Sequence, residues 1–122
     1  MVEKERDAAV AERVARNDAT FRDANEHISD VAESMQLKDD GLLPFICECA
    51  DMSCTEIIRV TASEYEAVRQ SPVLFMYARG HERNGLGWSR VVDEFDRYTV
   101  VEKVGQAAEI AAELDTRSTE AE

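Results

Sequence analysis

Hydrophobic and polar positions divide the chain into one long helical stretch followed by a run of short, mostly strand-like segments. From about Glu3 to Leu37 there is no glycine or proline, and Ala, Glu, Arg and Asp dominate. Val10, Val14, Phe21, Ala24, Ile28, Val31 and Met35 recur at spacings that alternate between four and three, with Asn17 in the one polar slot. That 3.5-residue repeat predicts a helix with a coiled-coil-like seam. At 1.5 Å per residue such a helix is about 50 Å long, longer than the small domain that follows it. Two readings are open. In one, Phe21 to Met35 packs on the domain while the first half stays solvated or frayed. In the other, the seam of Val10, Val14, Phe21, Ile28, Val31 and Met35 meets a protein partner or a second copy, with Asn17 setting the register.

Lys38-Asp39-Asp40-Gly41 carries the turn residues that end a helix. Leu42-Leu43-Pro44-Phe45-Ile46 and Glu56-Ile57-Ile58-Arg59-Val60 read as two short strands joined by a cysteine-bearing turn, a knuckle-like hairpin. Thr61-Ala62-Ser63-Glu64 has the spacing of a capping box and opens a helix that Ser71-Pro72 stops. Val73 to Ala78 is apolar on both faces and reads as a central strand. Arg79 to Ser89 is a polar, glycine-containing loop, Arg90 to Phe95 fits strand or helix equally, and Arg97 to Lys103 alternates as a half-buried strand. Gly105 to Leu114 is alanine-rich and helical, and a polar tail follows. The expected fold is α+β: a long N-terminal helix (residues 1–40), then a small, mainly antiparallel sheet with the hairpin and one or two short helices (residues 41–114), then a disordered tail (residues 115–122).

A chain of 122 residues with 44% hydrophobic content has room for one modest core. Its net charge of -12 is spread over both halves with no basic stripe, which disfavours nucleic-acid binding and favours solubility or a basic protein partner. No run reaches the roughly 18–20 apolar residues that span a bilayer. The charged start Met1-Val2-Glu3-Lys4-Glu5 has no apolar segment behind it, so the expectation is a cytoplasmic protein without a secretory signal.

Cytoplasmic thiols are rarely paired in disulfides, and all three cysteines, Cys47, Cys49 and Cys54, fall within eight residues. In an extended segment residues i and i+2 face the same way, so Cys47 and Cys49 are placed to grip one ion, and Cys54 returns across the turn. His81, in Gly80-His81-Glu82, completes a Cys₃His set of the kind that holds a structural zinc. His27, the other imidazole, lies beside the helical seam instead. An iron–sulfur cluster is the alternative metal, although the spacing matches no standard cluster framework. The competing reading without metal makes the cysteines buried small hydrophobes. Glu48, Asp51, Glu56 and Glu82 read as solvated charges, and Tyr65, Tyr77, Tyr98 and Trp88 as core or rim aromatics. No phosphate loop or second acid–base group is evident, so the expectation is a non-enzymatic, regulatory, zinc-binding interaction protein. A thiol-based redox sensor and a metal hydrolase with an open coordination site are the alternatives.

Phe45-x-Cys47-Glu48-Cys49-x4-Cys54, Glu64-Tyr65-Glu66-x-Val68-Arg69 and Gly80-His81-Glu82 resemble a group of small bacterial proteins with no established activity. Phe21-Arg22-x-x-Asn25-Glu26 and Tyr98-x-Val100-Val101-Glu102-Lys103 carry the same likeness, which covers most of residues 13–115. The resemblance implies a self-contained domain in which the cysteine cluster and the Gly-His-Glu turn form one site.

Overall fold

The computed structural model describes residues 2–35, 41–49, 51–82 and 87–115. The predicted turn at 38–40, the middle of the glycine loop (83–86) and the tail from 116 onward lie outside these residues. The fold is α+β. Helix α1 (Val2–Ser34) is followed by β1 (Leu42–Ile46), β2 (Ile57–Thr61), α2 (Ala62–Val68), β3 (Leu74–Ala78), β4 (Ser89–Glu94), β5 (Tyr98–Lys103) and α3 (Gly105–Glu113).

Helix α1 forms as expected, but it buries a different face. Its buried stripe is Ala11, Ala15, Asp18, Arg22, Asn25, Ser29 and Ala32, with Val14, Ala19 and Glu26 beside it. These positions also alternate by four and three, so a second 3.5-residue repeat, made of small and polar residues, runs next to the apolar one. Of the apolar seam, Val14 is buried and Val10, Phe21 and Ile28 are half-buried, while Val31 (40% exposed) and Met35 (65%) face solvent. The physical reason is closeness. Alanines let α1 approach α3, where Ala11 and Ala15 pack on Ala107 with Trp88 and Ile110 around them. The described side chains of this first half are therefore not all solvated: one face, Ala11, Val14 and Ala15, is buried, with Ala11 and Ala15 lying against α3.

The strands form two antiparallel sheets rather than one. β1 and β2 make the expected hairpin, in register from Leu42 opposite Thr61 to Ile46 opposite Ile57. The other sheet has the order β3-β5-β4, so β5 is central, and β3, expected there, is at an edge. β3 is buried nonetheless because the cysteine segment covers its outer side: the Glu48 N–H donates to the Met76 carbonyl at 2.8 Å. The undecided stretch before Phe95 is strand β4, and a break in register between Val91 and Asp93 explains why its side chains do not alternate cleanly. The capping box on α2 is present, with the Thr61 hydroxyl accepting from the Glu64 N–H and the Glu64 carboxylate from the Thr61 N–H. The core under these layers gathers Phe45, Val60, Tyr65, Phe75, Tyr77 and Val101, and the Phe45 and Tyr65 rings stack at 4.4 Å. Tyr65, Tyr77 and Tyr98 are buried and Trp88 half-buried, as core and rim aromatics.

Candidate metal centre

The hairpin brings its two strand ends together and then holds the cysteines by local hydrogen bonds. The Cys47 N–H donates to the Glu56 carbonyl at 3.1 Å, extending the β1–β2 ladder one step past Ile46. Between the strands, Asp51 caps a turn: its Oδ1 accepts from the Ser53 N–H at 2.9 Å and the Ser53 hydroxyl at 2.6 Å, and Ser53 holds the Asp51 carboxyl below its usual range. The Cys54 N–H closes that turn onto the Asp51 carbonyl at 3.0 Å. Asp51 thus shapes the loop rather than binding metal. His81 arrives from β3 through Gly80, whose φ of +87° sends the chain back over the hairpin.

The result is a cluster in which the ligand atoms of Cys47, Cys49, Cys54 and His81 all lie within 4.8 Å of one another. The Nδ1 of His81 is 3.5 Å from the Cys47 sulfur, 3.8 Å from that of Cys49 and 3.5 Å from that of Cys54. One ring nitrogen carries at most one hydrogen and cannot donate to three sulfurs at once. These distances are instead close to the edges that a coordination tetrahedron would have. Zinc bound by sulfur at about 2.3 Å and nitrogen at about 2.0–2.1 Å sets sulfur–nitrogen edges of about 3.5–3.6 Å. The cluster is therefore compatible with a single metal ion. His27, exposed on α1, takes no part.

The chemistry of the donors agrees. The three cysteines form no disulfide. The adjoining Cys49, and then burial, push the Cys47 thiol far above the ordinary thiol range. Burial is also the main force raising Cys54. Without a cation the site therefore favours protonated thiols, and a metal ion entering it displaces protons. Backbone N–H groups offset part of that cost: the Ala78 N–H donates to the Cys47 sulfur at 3.0 Å, an outer contact that also fixes the side chain's direction.

Glu48, expected in solvent, is fully buried. The reason is alternation: Cys47 and Cys49 face the cluster, so the residue between them faces the opposite way, into the core. Its Oε1 accepts from the Met76 N–H at 2.9 Å, and its Oε2 accepts from the Asn25 amide at 2.9 Å and the Tyr65 hydroxyl at 2.8 Å. Burial pushes its carboxyl up, with Asn25, Met76 and Tyr65 pulling back. Asn25 also donates to the Ile46 carbonyl and accepts from the Ile46 N–H, both at 2.8 Å. One residue of the cysteine loop thus ties the site to α1, α2 and β3. Glu56 is exposed as expected, and Glu82 is half-buried beside His81.

Further polar contacts pin α1 along its length. Asp18 pairs with Lys103 of β5, whose Nζ is 2.5 Å from the Tyr77 hydroxyl. The Arg22 guanidinium donates to the Pro72 and Ala111 carbonyls at 2.6 and 3.1 Å, and lies 4.6 Å from the Phe75 ring centroid. Arg69, after α2, pairs with Glu26 and, at 2.7 Å, with Asp115. The sequence pattern puts Lys103 on a half-buried strand and Asp115 in a disordered tail; in the fold both are buried and paired.

No family model, curated protein or solved structure matches the chain. Among the described residues, no helix is long and apolar enough to cross a membrane.

Proposed function

We propose that the protein is a non-enzymatic zinc-binding module that acts through contact with other proteins, in a regulatory setting. The carrying observation is the set of three sulfurs at 3.5, 3.8 and 3.5 Å from one histidine nitrogen. An iron–sulfur cluster would place its ligands on different irons around a body several atoms wide, whereas ligand atoms within 4.8 Å leave room for one ion. A hydrolytic zinc needs an open corner, and here Nδ1 of His81 stands at the fourth one. Interaction is supported by the -12 charge and by the exposed Val31 and Met35 at the end of α1, the part of the apolar seam that the fold leaves uncovered. The partner is another protein or a second copy of the chain.

Cobalt(II) titration of metal-free protein tests the site. One equivalent is expected to produce the strong visible absorption of a tetrahedral thiolate centre. Cys49→Ser abolishes it, and His81→Ala weakens binding and changes the spectrum. An unchanged spectrum in His81→Ala would return the hydrolase reading. Partner contact is tested by sedimentation and affinity capture with Val31→Asp/Met35→Asp, which loses association if the seam is used; unchanged behaviour would remove that surface from the proposal.

A second reading, a thiol-based sensor, rests on one observation: Cys54 is half-exposed while Cys47 and Cys49 are buried. Excess hydrogen peroxide should then release zinc far faster than a chelator alone. Release at the chelator's own rate would discard it.

A further inference from the structure

A second site lies away from the metal, where α2 faces the β4–β5 side of the larger sheet. It is a cavity of about 200 Å³ floored by Val68, Leu74 and Val100. The Phe95–Tyr98 pair, rings stacked at 4.8 Å, and Val92 line it as well. Phe95 (41%) and Val92 (44%) are exposed at the mouth, so large apolar surface stands open beside an apolar hole.

Size and charge narrow what fits. Small-molecule sites run to roughly 300–1,000 Å³, so this cavity suits one large side chain rather than a whole ligand. The two charged residues that line it, Glu64 and Asp93, are both carboxylates. They bear on the same spot: after burial, Glu64 and Asp93 are what push the Tyr98 hydroxyl up. Glu94 and Asp96 stand exposed nearby. The neighbouring cations are turned to the backbone, Arg79 donating to the Phe95 carbonyl at 2.8 Å and Arg97 to the Arg59 carbonyl at 3.1 Å. A second copy of a chain with net charge -12 would meet like charge here. An added β-strand is disfavoured as well, since the edge strand β4 is interrupted between Val91 and Asp93.

We propose that this cavity docks a basic peptide segment of a partner protein, which seats one leucine- or phenylalanine-sized side chain and sets flanking Lys or Arg against Glu64 and Asp93. A single buried anchor surrounded by a polar rim is the usual anatomy of a peptide-binding hot spot. This site stands or falls independently of the metal reading.

The test is a methyl NMR titration of the full chain with acetyl-Arg-Leu-Arg-amide and, separately, acetyl-Glu-Leu-Glu-amide. The basic peptide should saturate shifts at the Val68, Val92 and Val100 methyls with a dissociation constant of about 1 mM, the acidic peptide should bind at least about tenfold more weakly, and added salt should narrow the gap. Ala67→Trp, at an exposed lining position on α2, should fill the cavity and abolish these shifts while the rest of the spectrum stays folded. Equal binding of the two peptides, shifts that survive Ala67→Trp, shifts produced by protein concentration alone, or no shifts at all would each overturn the proposal.

Discussion

Asp18 and Lys103 face each other with no access to water, and their balance is sensitive to pH. Burial raises the Asp18 carboxyl from 3.8 to about 7, with Lys103 and the Tyr77 hydroxyl pulling it back. Between those two values the folded chain holds a proton that the unfolded chain has lost, so this group's contribution falls as pH rises through that window and is level above it. Lys103→Met removes the chief restraint and moves the upper end of the window above 7. Relative to the parent, the variant should lose about 1.4 kcal/mol per pH unit above pH 7 from this group, and show little extra loss below pH 6. Urea midpoints at pH 6 and pH 8.5 check this; parallel curves for the two proteins would contradict it. Glu48 makes a second prediction. Glu48→Ala orphans the Met76 N–H and the Tyr65 hydroxyl and leaves the Asn25 amide only its bond to the Ile46 carbonyl, and should cost about 2–4 kcal/mol of stability, read as a lowered urea midpoint.

Helix α1 shows which information at the level of elements was legible and which was not. Its extent, the hairpin, the capping box and α3 follow from local pattern and turn chemistry. Its buried face does not, because counting apolar residues selects the seam of Val10, Phe21, Val31 and Met35. The face that packs is built of Ala11, Ala15, Asp18, Arg22, Asn25 and Ser29, whose partners are distant in sequence. A signal was present: those small and polar residues keep the same 3.5-residue repeat as the apolar ones. Arg22 and Asn25 of the Phe21-Arg22-x-x-Asn25-Glu26 motif fall on that stripe, and Glu26 lies beside it. The two faces should differ sharply on mutation. Ala15→Leu, fully buried against α3, should cost about 1–3 kcal/mol by overpacking, while Met35→Ser, 65% exposed, should stay within about 0.5 kcal/mol. Thermal melts separate these outcomes, and the reverse ranking would mean that the apolar seam is the packed face.

At the scale of the whole molecule, the cysteine spacing and the Gly-His-Glu turn made the candidate site legible, since ligand chemistry is carried by residue type. What the cysteine loop does for the fold was hidden, because a lone glutamate between two cysteines looks solvated until its neighbours in space are known. Glu48 connects the loop to α1, α2 and β3, so loss of metal should be felt well beyond the hairpin. Chelator-treated protein should lose hydrogen-exchange protection at Ile46 and Met76 as well as at Cys47; protection lost only within 47–56 would show that the loop is uncoupled. The central proposal is that one zinc ion sits among Cys47, Cys49, Cys54 and His81. The most direct measurement is elemental analysis of untagged, purified protein together with its visible absorption spectrum. About one zinc per chain, a colourless solution, and loss of the metal in Cys49→Ser are expected. Brown, iron-containing protein, or protein without metal whose fold is unaffected by that substitution, would contradict it.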